Sequence, residues 1–557
     1  MAALHLKEAF FHLSQHSIDS VQSGRKFSEW DEYMHVDRPI ETKLIEKMDK
    51  IDEAGGGIVL LVGSAGDGKS HLISRIKQMS DWGTDSFYND ATASSSPKKT
   101  AIDTLKEALV EYKDTNLYST CKKLVLAINL GKLNALIEDP EFKEEYKEIV
   151  NATWPIFDDD DTTPPLDSTR VKVILFTDEQ IFEFDSQSQD KLPVDSKFLN
   201  SLIGRIVEPK DNNPFYCAYL ADLANDVSPK DPIVTNYRLL CMPEIRHTIV
   251  MTVIEAIVRY RLIITPREFL DFLYTIVVYP QYDSYKEKAN FFEALLPSLL
   301  YTGNENVIQR AISKLDPLKH SSTEHDKELS VLFTSYSIPT SYFDMYLSQE
   351  LPVEMLNRTN DFYSNNGRDI ERTTKFVFRL KHLLKYHSES SVYLSFMELL
   401  KGIFNQDVNK MQSIYNLVSK TIPRHYSSYY EKSNMIPLNI QGGRYRLFAN
   451  LHLKPQKIKP YYTLEDKNKF LLRFDMSWKF PDGDVPLRMD YQLYSYLYEL
   501  NRGKLALSYE NEKDLAFSRF VRLLAKKCNC EQDITVVRSD TRELQLCETA
   551  FGNIELQ

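Results

Sequence analysis

A chain poor in glycine has gathered a third of it into one short stretch. Of 18 glycines in 557 residues, Gly55, Gly56, Gly57, Gly63, Gly66 and Gly68 all lie between positions 55 and 68. Glycine accepts backbone conformations and close approaches that side chains forbid, so this stretch constrains the fold more than any other. Residues 58–62 (IVLLV) are continuously apolar, as expected of a parallel strand buried on both faces. Gly63-Ser64-Ala65-Gly66-Asp67-Gly68-Lys69-Ser70 matches G-x-x-x-x-G-K-[ST] in full, and Leu72, Ile73, Ile76 and Met79 then share one helical face. Strand, loop and helix in this order present successive backbone N–H groups to a phosphate chain at a helix N-terminus. Lys69 is expected to reach the β- and γ-phosphates of ATP, and the Ser70 hydroxyl to hold Mg²⁺.

Strand-like runs recur at 86–89 (SFYN), 123–130 (KLVLAINL) and 171–176 (VKVILF), with helical patterns such as 104–112 between them. The alternation predicts an α/β core with a parallel sheet over about 51–220, after an N-terminal helical segment, 1–50. A polar turn at 94–99 and the acidic run Asp158 to Asp161 read as solvated loops. Residues 221–425 read as mainly helical, a lid and middle region, with apolar spacing of three and four over 262–278, 291–300 and 379–400. From 426 to 557 the texture is α+β. Strands are expected at 445–453 and 470–480, helices at 491–500 and 515–525, and a hairpin at 534–538 and 543–547.

Composition excludes several classes. With 43% hydrophobic and 26% charged residues the chain is not a disordered one. Cys121, Cys217, Cys241, Cys528, Cys530 and Cys547 are too sparse for a disulfide framework, and no CxxC marks a zinc site. The N-terminal stretch carries Lys7, Glu8 and three histidines, with no apolar signal core. The longest apolar tract, 249–264, is interrupted by Glu255, Arg259 and Arg261 and reads as a buried helix. A cytoplasmic location is expected.

Hydrolysis needs a strand-end acid for the metal ion and a base to orient water. Asp178 and Glu179 follow the apolar run 173–176 and are the expected metal-side acid and base. Asn129, ending the earlier run 124–129, has the form of the γ-phosphate sensor of AAA+ ATPases. That sensor normally follows the acidic strand, so the order is reversed unless Asn129 has taken the acid's place and Asp178 the sensor's; Asp90, ending another run, is a third option. Thr265-Pro266-Arg267-Glu268 is a capping box with proline at the first helical position. It places Arg267 in a first turn, where the helix dipole disfavours a cation unless an anion is near. Arg267 resembles the second sensor of AAA+ lids. Arg205 and Arg246 are candidates for an arginine acting on a neighbouring subunit. Glu145-Tyr146-Lys147 offers only a fragment of a nuclease motif, and nuclease activity is not expected.

Residues 33–40 (YMHVDRPI), 63–72 (GSAGDGKSHL), 89–92 (NDAT), 127–134 (AINLGKLN) and 213–216 (NPFY) together resemble the DptF family. These are the ATP-binding components of bacterial DNA phosphorothioation-dependent restriction systems, and the likeness spans roughly residues 30–280. The resemblance implies a nucleotide site at residues 63–71, His71 included. It also implies DptG- and DptH-like partner subunits and a part in antiviral restriction of DNA that lacks the sulfur-modified backbone. Independently, residues 420–480 hold twelve Lys and Arg against four acids in a chain of net charge −11. Tyrosines 426, 429, 430, 445, 461 and 462 and Trp478 are interleaved with Arg444, Arg446, Lys454, Lys457 and Lys459. Cations with aromatics suit double-stranded DNA or an acidic partner. Two other functions fit the same motifs: a nucleotide-gated scaffold with slow turnover, and a signalling NTPase that does not touch DNA. A homo-oligomer is compatible with each.

Overall fold

The computed structural model describes residues 5–14, 29–64, 66–89, 101–157, 166–176, 181–190, 192–225, 227–286, 291–320, 322–334, 341–344, 347, 350–365, 370–425, 435–437, 445–451, 453–460, 472–481, 483–504, 511–527, 534–538, 543–548 and 554–556. The turn at 94–99 and the acidic run at 158–161 lie outside them. The chain forms two compact units. The first comprises Met1–Phe182 and Ser196–His387, the second Glu183–Asp195 and Ser388–Gln557.

At the centre of the first unit is a parallel sheet of β1 (Gly57–Gly63), β2 (Phe87–Tyr88), β3 (Lys123–Asn129) and β4 (Val171–Leu175). Among the described residues its order is β2-β3-β1-β4. All seven residues of β1 are buried, and the strand period of two divides them between opposite faces. Ile58, Leu60 and Val62 join Leu105, Leu109, Leu133, Leu136 and Ile137 in one core. Val59 and Leu61 join the other. There they meet Ile40, Leu44, Met48 and Ile51 of helix α1 (Pro39–Glu53), and Leu72, Ile73 and Ile76 of helix α2 (Lys69–Met79). Each such side chain contributes about 1.5–3 kcal/mol. The continuous apolar run is therefore the consequence of helices covering both faces.

The glycines before β1 serve the sheet rather than a ligand. Gly56 and Gly57 have φ of 142° and 143°. A Cβ on Gly56 would lie 2.6 Å from the Thr120 carbonyl oxygen, and one on Gly57 would overlap that of Arg170. The Arg170 guanidinium ties the corner by donating to the Gly56 carbonyl at 2.8 Å.

The rest of the first unit is largely helical. The interrupted apolar tract lies mostly in helix Pro243–Tyr260, where buried Glu255 accepts from Arg259 at 2.8 Å and from the Tyr386 hydroxyl at 2.7 Å. Among the described residues no helix is long and apolar enough to cross a membrane. The helical spacing over 379–400 falls on two helices, Ile370–Leu384 in this unit and Ser391–Phe404 in the second. The Ser390 hydroxyl accepts from the Tyr393 N–H at 3.2 Å and starts the second. The Arg379 guanidinium, deep in the first, grips the Asp316 carboxylate at 2.6 and 3.2 Å.

The second unit holds the small sheets. β5 (Glu183–Phe184) pairs with β6 (Val194–Asp195). The strands β7 (Met435–Pro437), β8 (Tyr445–Asn450), β12 (Ile534–Arg538), β13 (Glu543–Glu548) and β14 (Ile554–Leu556) form one sheet, in the order β14-β13-β12-β8-β7. The expected hairpin is β12–β13. A further sheet joins β9 (Lys459–Pro460), β10 (Arg473–Trp478) and β11 (Val485–Asp490) in the order β11-β10-β9. Val485, Leu487 and Met489 alternate inward on β11, which lies outside the expected strands; Pro486 sits on this sheet edge, where a missing N–H is tolerated. Helices Val408–His425, Tyr491–Asn501 and Asn511–Lys527 complete the unit, and fully buried Trp478 meets the Tyr415 and Phe520 rings at 5.0 and 4.8 Å.

One buried amide tests the helical packing. Asn236 donates to the carbonyls of Val277 and Ala294, both at 2.9 Å, and accepts from the Leu296 N–H at 2.7 Å. Asn236→Ala strands three buried backbone groups and is expected to cost at least about 3 kcal/mol. Urea denaturation checks this, and a loss below about 1 kcal/mol would show that the cross-link contributes little.

Candidate functional site

The loop after β1 stands at the carboxyl edge of the sheet, where ligands of open parallel sheets bind. In register Gly63 lies beside Asn129, and Val62 beside Leu175. Each described loop glycine has a physical reason. A Cβ on Gly63 would stand 2.5 Å from the Asp67 Oδ2 and 2.7 Å from the Phe176 Cβ. Gly66 and Gly68 have left-handed φ of 88° and 92°. Gly68 caps α2, which places the N-terminus of that helix beside the loop. Ala65 lies outside the described residues.

Inside the loop the polar groups satisfy one another. The Ser64 N–H donates to the Asp67 carboxylate, and the Lys69 ammonium donates to the Ser64 carbonyl. Burial pushes the Lys69 ammonium below its ordinary pKa, with Asp67 acting against it. Burial pushes the Asp67 carboxyl above its ordinary range, with Lys69, the Ser64 N–H and Arg38 opposing. Ser70 is exposed at the start of α2.

Helix α3 (Pro266–Val277) begins against this loop. Its box forms as expected: the Thr265 hydroxyl accepts from the Glu268 N–H at 3.2 Å, and the Glu268 carboxylate accepts from the Thr265 N–H at 2.8 Å. A Cβ on Gly66 would lie 3.1 Å from the Thr265 Oγ1. A segment about two hundred positions downstream thus touches the loop, and half-buried Arg267 stands two residues from that contact.

Asn129 ends β3 beside the loop, and its side-chain oxygen caps helix Leu130–Glu138 by accepting from the Lys132 N–H at 2.8 Å. Asp178 and Glu179 lie outside the described residues, which follow β4 as far as Phe176. Asp90 does too. Its neighbour Asn89, just past β2, has a buried Oδ1 with no hydrogen-bond partner among the described residues. The Arg205 guanidinium donates to the His35 carbonyl at 3.1 Å within its own chain. The Arg246 Nε is buried with no partner among the described residues. The Glu145 carboxylate pairs with Lys113 at 2.5 Å, which gives the nuclease fragment a structural use. Of the basic segment, Lys454 and Lys457 are exposed, and Lys457 donates to Gln406 at 2.9 Å. Arg444 and the side chains of Arg446 and Lys459 lie outside the described residues.

Two features escape motif reading. The Arg38 guanidinium donates to the Asp67 carbonyl at 2.8 Å and lies over the rings of Phe176 and Phe198 at 5.4 and 5.5 Å. It adds a second cation to the loop beside Lys69. In the sequence it lies within the segment 33–40 (YMHVDRPI), at the Arg-Pro step that opens α1. The second feature is a charged network behind the loop. His71 Nε2 meets His35 Nδ1 at 3.0 Å, and His35 Nε2 meets Asp37 and Glu41, both at 3.1 Å. Among the described residues His35, Asp37 and Glu41 gather three donor atoms that could hold a metal ion. Arg75 already supplies a cation to them, pairing with Glu41 at 2.8 Å and Asp37 at 3.5 Å.

No protein-family model, curated protein or solved structure matches the chain.

Burial, helped by His35, pushes the His71 imidazole down to about 4. Unfolded, it takes up its proton near pH ~6.5, so between those values the unfolded state binds more protons and stability falls as pH falls. Nucleotide-free protein is expected to lose on the order of 2 kcal/mol between pH 7.5 and pH 5 through this group. His71→Asn should flatten that part of the profile in urea midpoints. An unchanged slope would mean that His71 protonates normally in the fold.

Proposed function

We propose that this chain is a P-loop ATPase, and specifically the ATP-binding subunit of a phosphorothioation-dependent DNA restriction complex. One observation carries the nucleotide reading: a complete G-x-x-x-x-G-K-S loop joins the central parallel strand β1 to α2, with the capped start of α3 against Gly66. The restriction setting, with DptG- and DptH-like partners, rests on the family resemblance. The exposed Lys454 and Lys457 are compatible with contact to duplex DNA.

In this reading the loop N–H groups and Lys69 bind the phosphate chain. The Ser70 hydroxyl, exposed at a helix N-terminus, suits a Mg²⁺ ligand, and strand-end carboxylates at Asp90 or Asp178 would complete the oxygen donors. The metal ion supplies charge neutralisation on the phosphates. Arg267, in the first turn of α3, would contact the γ-phosphate, and a strand-end acid would orient the attacking water. The sheet order supports Asp90 for that acidic strand. With β2 as the acidic strand, Asn129 follows it in sequence and adjoins it in the sheet, the order that AAA+ ATPases have. Glu179, beyond β4, is the competing base. A nucleotide-gated switch with slow turnover is the second reading, favoured by a loop whose lysine and carboxylate are already engaged with one another's neighbours.

Steady-state ATP hydrolysis with and without duplex DNA tests this. Lys69→Ala should abolish nucleotide binding. Asp90→Asn should retain binding and lower turnover by about a hundredfold or more, as loss of an essential acid–base or metal-ligating group does, with Glu179→Gln affecting it less. The reverse pattern would move the acid to β4. A wild-type chain that neither binds nor hydrolyses ATP would end the proposal. Neutralising Lys454, Lys457 and Lys459 together should weaken DNA binding and flatten its salt dependence; DNA affinity indifferent to both would remove the DNA assignment.

A further inference from the structure

Two histidines outside the phosphate loop are held with the same ring nitrogen committed. His325, near the start of helix Thr323–Thr334, donates its Nδ1–H to the His320 carbonyl at 2.9 Å. His382, in helix Ile370–Leu384, donates its Nδ1–H to the Phe378 carbonyl at 3.0 Å. A carbonyl oxygen only accepts, so Nδ1 carries the hydrogen in both rings, and each neutral imidazole keeps its lone pair at Nε2. The ring centroids stand 5.4 Å apart at 88°, and a nitrogen of each ring lies within 4.8 Å of one on the other. Both rings pack on that of buried Phe378, at 5.1 and 4.6 Å, while half-buried themselves and so reachable from solvent. Lys381, next to His382 in the chain, is paired with Glu328 at 2.7 Å.

A backbone carbonyl on Nδ1 is a common device for orienting a histidine whose Nε2 binds metal. The His35 cluster differs, because Arg75 already brings a cation to both of its carboxylates. We propose that His325 and His382 form a binding site for a divalent transition-metal ion of the zinc class, held through the two Nε2 atoms. Imidazole suits zinc, nickel and copper, whereas Mg²⁺ and Ca²⁺ take oxygen ligands. A tetrahedral zinc ion with bonds of about 2.0–2.1 Å sets two ligand nitrogens about 3.4 Å apart, so from a separation within 4.8 Å the rings close by at most about 1.4 Å. Two protein ligands leave coordination positions open to water. The bound ion ties helix Thr323–Thr334 to helix Ile370–Leu384 and stabilises the folded chain, the only state in which the two rings meet. Neither histidine belongs to the phosphate loop, α1, α2 or α3.

Equilibrium binding of Zn²⁺ to the untagged full chain, in competition with a chromophoric chelator, tests this in wild type, His325→Gln, His382→Gln and His247→Gln, the last an exposed histidine outside the pair. Wild type and His247→Gln should bind Zn²⁺ equally. Either pair variant should weaken binding by about tenfold or more, since loss of even an outer-shell partner costs that much, and should lose the Zn²⁺-dependent rise in melting temperature. Mg²⁺ should neither compete nor stabilise. X-ray absorption at the zinc edge of the wild-type complex gives a reading independent of how the variants fold, and scattering from two imidazoles is expected. Zinc affinity unchanged in both folded pair variants overturns the site. So does a wild-type chain that binds no Zn²⁺, or whose zinc has no imidazole neighbours.

Discussion

The parallel register of β1 against β3 and β4 fixes everything at the loop. Pairing Gly63 with Asn129 and Val62 with Leu175 brings three chain segments to one edge of the sheet at nearly the same height. Neighbouring strands stand about 4.8 Å apart, so groups carried just past those ends lie within side-chain reach of the loop. The register in turn depends on glycine at both ends of β1. At the entry, Gly56 and Gly57 let the Thr120 and Arg170 carbonyls approach; at the exit, Gly63 leaves room for Asp67 and Phe176. A side chain at any of these positions would push a neighbouring strand or the loop away and move Asn129 or the β4 end relative to the loop.

Much of this was legible because burial on both faces leaves a simple trace. The runs at 58–62, 123–130 and 171–176 are strands near their expected bounds, and the loop and the α3 capping box stand where their motifs put them. Legibility failed where the physical cause was not local. Pro486 disguised β11, because proline weakens the case for a strand unless its place on the sheet edge is known, and that is a tertiary fact. The apolar spacing over 379–400 is broken only by the short polar step 387–391 (HSESS), and the Ser390 cap that makes it a helix boundary is visible in the structure alone. The glycine cluster drew attention to one function, whereas Gly55, Gly56 and Gly57 belong to a strand corner and only the later three to the loop.

Arg38 shows the same limit at the site itself. Its segment, 33–40, is distinctive in sequence, but neither spacing nor composition there says that its guanidinium reaches the loop. It reaches Asp67 because α1 packs on β1 through Ile40, Leu44 and Ile51, which sets the start of that helix over the loop. Its guanidinium is desolvated by two aromatic rings, Phe176 from the end of β4 and Phe198 from the helix that follows. A charge held this way is pre-organised, because the rings restrict its rotamers before any ligand arrives.

Pre-organised charge is also what makes a carboxylate at position 67 understandable. Two cations and a helix N-terminus would repel one another in a half-buried loop. Their mutual repulsion would favour opening the strand–loop–helix corner on which β1 depends. A carboxylate within the loop offsets that repulsion, at the cost of its own desolvation, which is why burial lifts its pKa while Lys69 and Arg38 hold it down. The closed form of the strand–loop–helix corner thus depends on a carboxylate that is itself costly to bury.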